Sequence, residues 1–312
     1  MSPNIQGGDM KLNELKLNEN ASSVVEIANV FVSQKDCMHR FASWDYCYGL
    51  AQCMYARKEE LSEQDYDYMA LNLAFYLASW GMYRGSSFLL DKSYKIHIKP
   101  VKLIFSNDEL WKGPLSSGEL TAFGRELANV YGVGDEVKAS NDGISGNMTD
   151  TLFTKILLGL TGNVVAYDRY CKTALSFLEF GRNFFRTNRD TSWDRLRNDG
   201  FATLADKLSV IKASYPKVEY NDGGYVQTSE YVPYPAAKNI DMFLFVLGEL
   251  CDAVACISNP NSTENKKKTN KEFLSKCFKK GLGVDNVVLK NVIKDKKGSF
   301  EEIKAIYDSS KV

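Results

Sequence analysis

Lys155 and Asp168 are the two residues whose types and spacing come closest to a reactive pair. An apolar helical segment begins around Lys155, turns at Gly162-Asn163, and leads into a second helix whose first turn carries Asp168. A lysine amine can act as a nucleophile, and a fixed carboxylate can stabilise positive charge that develops on a substrate. The pattern therefore raises the hypothesis of a catalytic site at Lys155 and Asp168.

The stretch 152–171 resembles the second half of a helix-hairpin-helix DNA glycosylase domain, where an apolar helix leads through a loop into a catalytic aspartate. The resemblance implies that Asp168 stabilises charge on the sugar, and that Lys155 is the lysine with which bifunctional members attack the sugar carbon. Such enzymes flip a base out of the duplex. A second interpretation stays open: an aspartate favoured by the helix dipole, beside a solvated lysine.

A candidate anion site lies at Arg84, Ser86 and Ser87, where the sequence predicts a break between two helices. Free N–H groups and the dipole converge at a helix start, and an adjacent arginine adds charge. The alternative is a capped corner in which Arg84 pairs with a carboxylate.

A third candidate is the arginine-rich segment 182–197, which predicts a nucleic-acid-binding surface. Together with Arg169, it supplies guanidinium groups for phosphates and aromatic rings for stacking on bases. Interleaved aspartates make internal ion pairs an equal alternative. The residues are Arg182, Arg186, Arg189, Arg195 and Arg197, with Phe184, Phe185 and Trp193, and with Asp190, Asp194 and Asp199.

Histidines and cysteines give no metal or cofactor motif. The only histidines are His39 and His97, and no two of the seven cysteines have Cys-x-x-Cys spacing. His97 lies between Lys95 and Lys99, which predicts a surface position. We therefore expect no metal and no cofactor.

Charge is balanced over the whole chain but not along it. The 39 basic and 39 acidic residues cancel, whereas residues 266–311 are rich in lysine and lack arginine. This segment could contact nucleic acid electrostatically. The most apolar run, 240–257, is interrupted by Asp241, Glu249 and Asp252, which argues against a membrane span. No signal peptide is evident, so a cytoplasmic location is expected.

Helical periodicity and capping signals predict a mainly α-helical fold. Ser62, Ser116 and Thr191 each precede an acidic residue by three positions and should start helices. The stretch 217–232, with its Asn-Asp-Gly-Gly turn, predicts one small β-hairpin.

The predicted organisation is a flexible N-terminus (1–20), a helical core domain (21–257), a linker (258–270) and a basic helical appendage (271–312) that moves independently of the core. The chain carries no complete catalytic set, which favours a helical interaction or scaffold protein with an unknown protein partner. The alternative is a nucleic-acid-associated protein with a glycosylase-like core.

Overall fold

The computed structural model describes residues 21–34, 38–133, 148–181, 184–185, 191–201, 213–283 and 285–298, together with the single positions 204, 207, 301, 304, 305 and 308. Within these residues the fold is mainly α-helical with a single two-stranded antiparallel hairpin, as the sequence predicts. None of the described helices is both long and apolar enough to cross a membrane.

The helices are numbered here in chain order. They are α1 (Ala21–Gln34), α2 (Ala42–Ala56), α3 (Glu63–Ser79), α4 (Ile98–Ser106), α5 (Glu109–Lys112), α6 (Ser117–Val130), α7 (Asp150–Leu160), α8 (Arg169–Phe177), α9 (Ser192–Arg195), α10 (Ala236–Ser258), α11 (Glu264–Lys279) and α12 (Val287–Asp295). Short 3-10 turns occupy Lys58–Glu60 and Tyr94–His97, and a π turn, Leu196–Gly200, follows α9.

All three predicted helix starts are confirmed. Ser62 and Ser116 each accept a hydrogen bond from the backbone N–H three residues later, and the acidic side chain at that position bonds back to the serine N–H. Thr191 caps α9 through the N–H of Asp194. Each cap satisfies backbone donors that the first helical turn leaves without partners.

Helix α10 is the centre of the fold. Every residue from Ala237 to Gly248 is buried, so the helix is enclosed on all its sides over that length. It packs against α8, α1, α11 and α12. A helix with apolar residues on all its sides needs such complete cover.

The basic appendage packs on this helix, which differs from the independent module that the sequence predicts. Residues 264–270, part of the predicted linker, form the first turns of α11. Phe278 of α11 and Leu289 of α12 belong to the same hydrophobic core as Val254 of α10. Lys280 also donates a hydrogen bond to the Ser33 carbonyl at the end of α1. The appendage's apolar stripes therefore cover α10, while its lysines stay at the surface.

One predicted helix is absent, and another begins later than expected. Residues 82–92 form turns, so no helix starts at Ser86 or Ser87. The second helix, whose first turn is predicted to carry Asp168, begins only at Arg169, with Asp168 as its N-cap, because residues 161–168 form a loop held by side-chain hydrogen bonds.

The hairpin consists of β1 (Ser214–Asn221) and β2 (Gly224–Pro233). Its two-residue turn, Asp222-Gly223, has positive φ at both positions, as the predicted turn requires. Strand β1 packs against α2.

Gly248 allows α10 and α8 to cross at close range. A Cβ atom at this position would lie 2.1 Å from the carbonyl oxygen of Tyr170. We expect Gly248→Ala to lower the free energy of unfolding by about 3 kcal/mol, because backbone atoms must move apart. Denaturant titration measures the loss. The matched control is Gly118→Ala in the exposed first turn of α6, where the nearest atom is 4.0 Å away. An equal loss in both variants would contradict the close crossing.

Candidate functional site

Lys155 and Asp168 do lie side by side. Lys155 is on α7, and Asp168 is the residue that caps the N-terminus of α8. The Lys155 Nζ atom is 3.2 Å from Asp168 Oδ2, and the two side chains are only 4% and 16% exposed. Asp168 Oδ1 also accepts hydrogen bonds from the N–H groups of Tyr170 and Cys171. Both carboxylate oxygens are thus engaged within the fold.

The loop between the two residues has a fixed shape. Gly162 ends α7 with a φ of +68°, and a Cβ atom there would lie 2.6 Å from the Tyr48 ring, so only glycine fits. At the far end, the Ala166 N–H donates to the Asp241 carboxylate of α10, whose other oxygen pairs with Lys238 at 2.7 Å. The loop is therefore held from both sides by buried charged groups.

Further charged groups surround this pair. The Trp80 ring centroid is 4.8 Å from Lys155 Nζ and 5.0 Å from Arg40 Cζ. Burial raises the pKa of Glu249 on α10 to about 7; Arg40 opposes this rise, and Asp168 adds to it. A carboxyl group with such a pKa could exchange a proton near neutrality. The Lys155 amine, however, is enclosed and ion-paired, which is the environment of a structural lysine.

The predicted nucleic-acid surface is described only in part. Arg182, Arg186 and Arg189 lie outside the described residues. Arg169 is 72% exposed and pairs with Asp252 at 3.2 Å. The aromatic rings named with the arginines (Phe184, Phe185 and Trp193) are buried in the core, so these rings are not platforms for bases.

The predicted anion site does not have a helix start. Arg84 and Ser86 are exposed in a turn, and the Arg84 guanidinium lies close to Gly81. The Ser87 hydroxyl accepts a hydrogen bond from the Leu89 N–H. The convergent N–H groups of a helix N-terminus, on which the anion hypothesis depends, are not formed at Ser86 and Ser87.

His97 is buried, and its predicted surface position is wrong. It is 0% exposed, and its two ring nitrogens are each 2.6 Å from a tyrosine hydroxyl, those of Tyr83 and Tyr131. Burial lowers its pKa to about 4, so the ring is neutral. Among the described residues, no group of three or more potential ligands is placed to hold a metal ion.

An aromatic surface that the sequence did not reveal joins α3 to the hairpin. Tyr68 of α3 stacks on Tyr225 with ring centroids 6.0 Å apart, and Tyr225 packs on Tyr220 at 5.0 Å. Arg57 lies over the Tyr220 ring, 3.4 Å from its centroid. The Tyr225 hydroxyl donates to Asp65 in the capping box of α3 at 2.7 Å, which ties the hairpin to that helix.

Exposed apolar side chains concentrate on these two elements. Six of the nine large apolar residues that are exposed in the described part of the chain lie on α3 or the hairpin: Tyr68, Leu71, Phe75, Tyr220, Val226 and Tyr231. Tyr68, Leu71 and Phe75 form one stripe, since their spacing brings them to the same side of the helix. The sequence signal for this surface was a second apolar stripe on α3, on the side of the helix opposite its buried residues.

Beside this surface, a groove of about 530 Å³ runs between α2 and β1. Its α2 wall includes Gln52, Cys53 and Arg57, and its other wall is β1 from Lys217 to Asn221. A cavity of this size is within the usual range for ligand sites.

Comparison of the chain with protein-family models, curated proteins and solved structures found no match.

The Lys155–Asp168 contact can be separated from the cap that Asp168 forms. Asn also caps helices well, so Asp168→Asn keeps the cap and leaves Lys155 as an uncompensated buried charge. We expect it to lower the free energy of unfolding by about 3 kcal/mol. Adding Lys155→Met should recover most of this loss. A double-mutant cycle measures the coupling, and additive effects would contradict a structural ion pair.

Burial of neutral His97 makes stability depend on pH. The unfolded chain binds a proton at this residue near pH 6.5, whereas the folded chain does so only near pH 4. Its contribution is complete above pH 6.5 and should fall by about 3 kcal/mol as pH drops through 4. Denaturant titrations of wild type and His97→Gln should run parallel above pH 7 and converge in acid. Parallel curves over the whole range would refute the assignment.

Proposed function

We propose that the chain is a helical interaction protein that binds a partner protein through the α3–hairpin surface. The observation that carries the proposal is the aromatic and apolar surface formed by Tyr68, Leu71, Phe75 and Tyr220, with Arg57 at its edge. Aromatic residues and arginine are enriched where protein interfaces bury most area. Large contiguous apolar patches on a protein surface mark such sites.

A hydrogen-bonded carboxylate, that of Asp65, makes the α3–hairpin surface rigid. Ser62 and Tyr225 hydrogen-bond the Asp65 carboxylate and, although partial burial opposes them, lower its pKa. The carboxylate therefore stays charged and holds the hairpin against the start of α3 at neutral pH. A surface built on such fixed elements loses little conformational entropy when a partner binds.

A second candidate function is a nucleic-acid-associated protein with a helix-hairpin-helix glycosylase-like core. What favours it is that Lys155 and Asp168 meet across the loop. Against it, both oxygens of the carboxylate already have donors from the chain itself. Release of a damaged base from duplex DNA by the wild-type chain is the assay that tests it.

The surface is tested by replacing Leu71 and Phe75 together with serine. Both side chains are about half exposed, so the fold should persist while interface area is lost. Quantitative crosslinking in an extract of the source cells should show partner capture reduced at least about a hundredfold. Leu90→Ser, at an exposed leucine outside α3 and the hairpin, is the matched control.

Capture that survives the Leu71 and Phe75 changes would contradict the proposal. Loss of capture in the Leu90→Ser control as well would equally contradict it, because binding would then not be specific to α3.

A further inference from the structure

The groove between α2 and β1 follows the outer edge of the strand. Five consecutive residues of β1, from Lys217 to Asn221, line it. Side chains of consecutive strand residues point to opposite faces of a sheet, so a groove that touches all five runs along the backbone edge. At the other end of the strand, Gly49 of α2 lies so close to the Pro216 carbonyl oxygen that a Cβ atom would be 2.9 Å from it.

The strand register shows which backbone groups face the groove. Asn221 and Gly224 flank the two-residue turn and therefore exchange both hydrogen bonds. Alternation makes Tyr220–Tyr225 and Val218–Gln227 the pairs without hydrogen bonds between them. The N–H and C=O groups of Val218 and Tyr220 thus point away from β2, towards the outer edge of the hairpin.

These outward groups have no partner in the hairpin ladder. Among the described residues, no backbone carbonyl of another element accepts a hydrogen bond from the Val218 or Tyr220 N–H. The residues that carry them line the groove, whose other wall is α2. An edge of this kind is a template for an added strand.

The far end of the groove carries a cation. Arg57 stacks on Tyr220, and its salt bridge to Glu60 is 3.4 Å long, with the glutamate side chain 72% exposed. A pair so open to solvent is weak, and a carboxylate from a ligand can replace Glu60 at little cost. Arginine presents a planar fork that matches a carboxylate.

We propose that this groove binds an extended peptide segment of the partner protein, which adds a third strand along β1 and places a carboxylate at Arg57. The inference rests on the proposed interaction function and names how the partner is recognised. Strand addition beside a helix is a common mode of peptide recognition, in which the backbone gives affinity and the pockets give specificity.

The chemistry of the groove favours this occupant over others. A small apolar molecule would bury the Val218 and Tyr220 backbone groups without hydrogen bonds, which is costly. A second copy of the chain would have to bring a whole two-stranded hairpin to this edge. A single extended segment satisfies the backbone edge with the least added bulk.

The test begins with random octapeptides displayed with free C-termini and panned against the full chain. In Val218→Pro the ring replaces the N–H on the outer edge of β1, and the ladder to β2 keeps its hydrogen bonds. Gln227→Pro is the matched control, because it removes the paired residue's N–H on the opposite edge of the hairpin. We expect enriched peptides to bind Val218→Pro about tenfold more weakly and Gln227→Pro with wild-type affinity.

Two further readouts do not depend on folding of the proline variants. If the bound group is the peptide's C-terminal carboxylate, Arg57→Gln should weaken binding of the free-acid peptide and leave binding of the same peptide with a C-terminal amide unchanged. If the bound group is an internal acidic residue, replacing that residue with its amide counterpart should remove the effect of Arg57→Gln instead. The peptide should also protect Cys53, a half-buried thiol in the groove wall, from alkylation. Cys256, the other half-buried cysteine of the described residues, should react at an unchanged rate.

Enriched peptides that protect Cys53, respond to Arg57→Gln and lose affinity in Val218→Pro support the proposal. It is overturned if no peptide is enriched, if Cys53 stays reactive, or if Gln227→Pro is the variant that loses binding. A dimer that Val218→Pro dissociates would also overturn it in favour of self-association. If the groove fails while the Leu71 and Phe75 changes still abolish partner capture, the proposed function stands without it.

Discussion

The loop 161–168 is held between two buried ion pairs, and the packing of the central helices depends on this constraint. On one side, Lys155 of α7 meets Asp168; on the other, Asp241 of α10, which is paired with Lys238, accepts a hydrogen bond from the Ala166 N–H. Buried charges are costly unless each has its partner, so the loop can take few other positions. The loop in turn sets where α8 begins, and hence where its first turn meets Gly248 of α10.

Because α8 crosses α10 so closely, the other sides of α10 are left for α1 and the C-terminal helices. The apolar residues of α11 and α12 complete the cover of α10, although their segment looked separable by composition. Charge and core membership are independent here, because lysines project to solvent while Leu274 and Val292 pack inward. A lysine-rich segment can therefore be part of the core and remain basic on its surface.

What could be predicted from the sequence was local. The capping boxes at Ser62 and Ser116 and the hairpin turn at Asp222-Gly223 are determined by neighbouring residues, and all of them formed as expected. His97 could not be placed, because its burial depends on Tyr83 and Tyr131, which lie 14 and 34 residues away. The partners of Asp168 and the groove beside β1 could not be predicted from the sequence either, because both arise from tertiary packing.

The two candidate regions differ in whether their polar groups are already satisfied within the chain. At Asp168, the helix N–H groups and Lys155 occupy both carboxylate oxygens, so a substrate would have to compete with contacts that hold the fold together. At β1, the register directs the backbone groups of Val218 and Tyr220 away from β2, on a strand that lines a groove with α2 as its other wall. A partner that binds there gains hydrogen bonds and breaks none of the core. Recognition at the hairpin is therefore compatible with the stability of the fold, whereas chemistry at Asp168 would act against it.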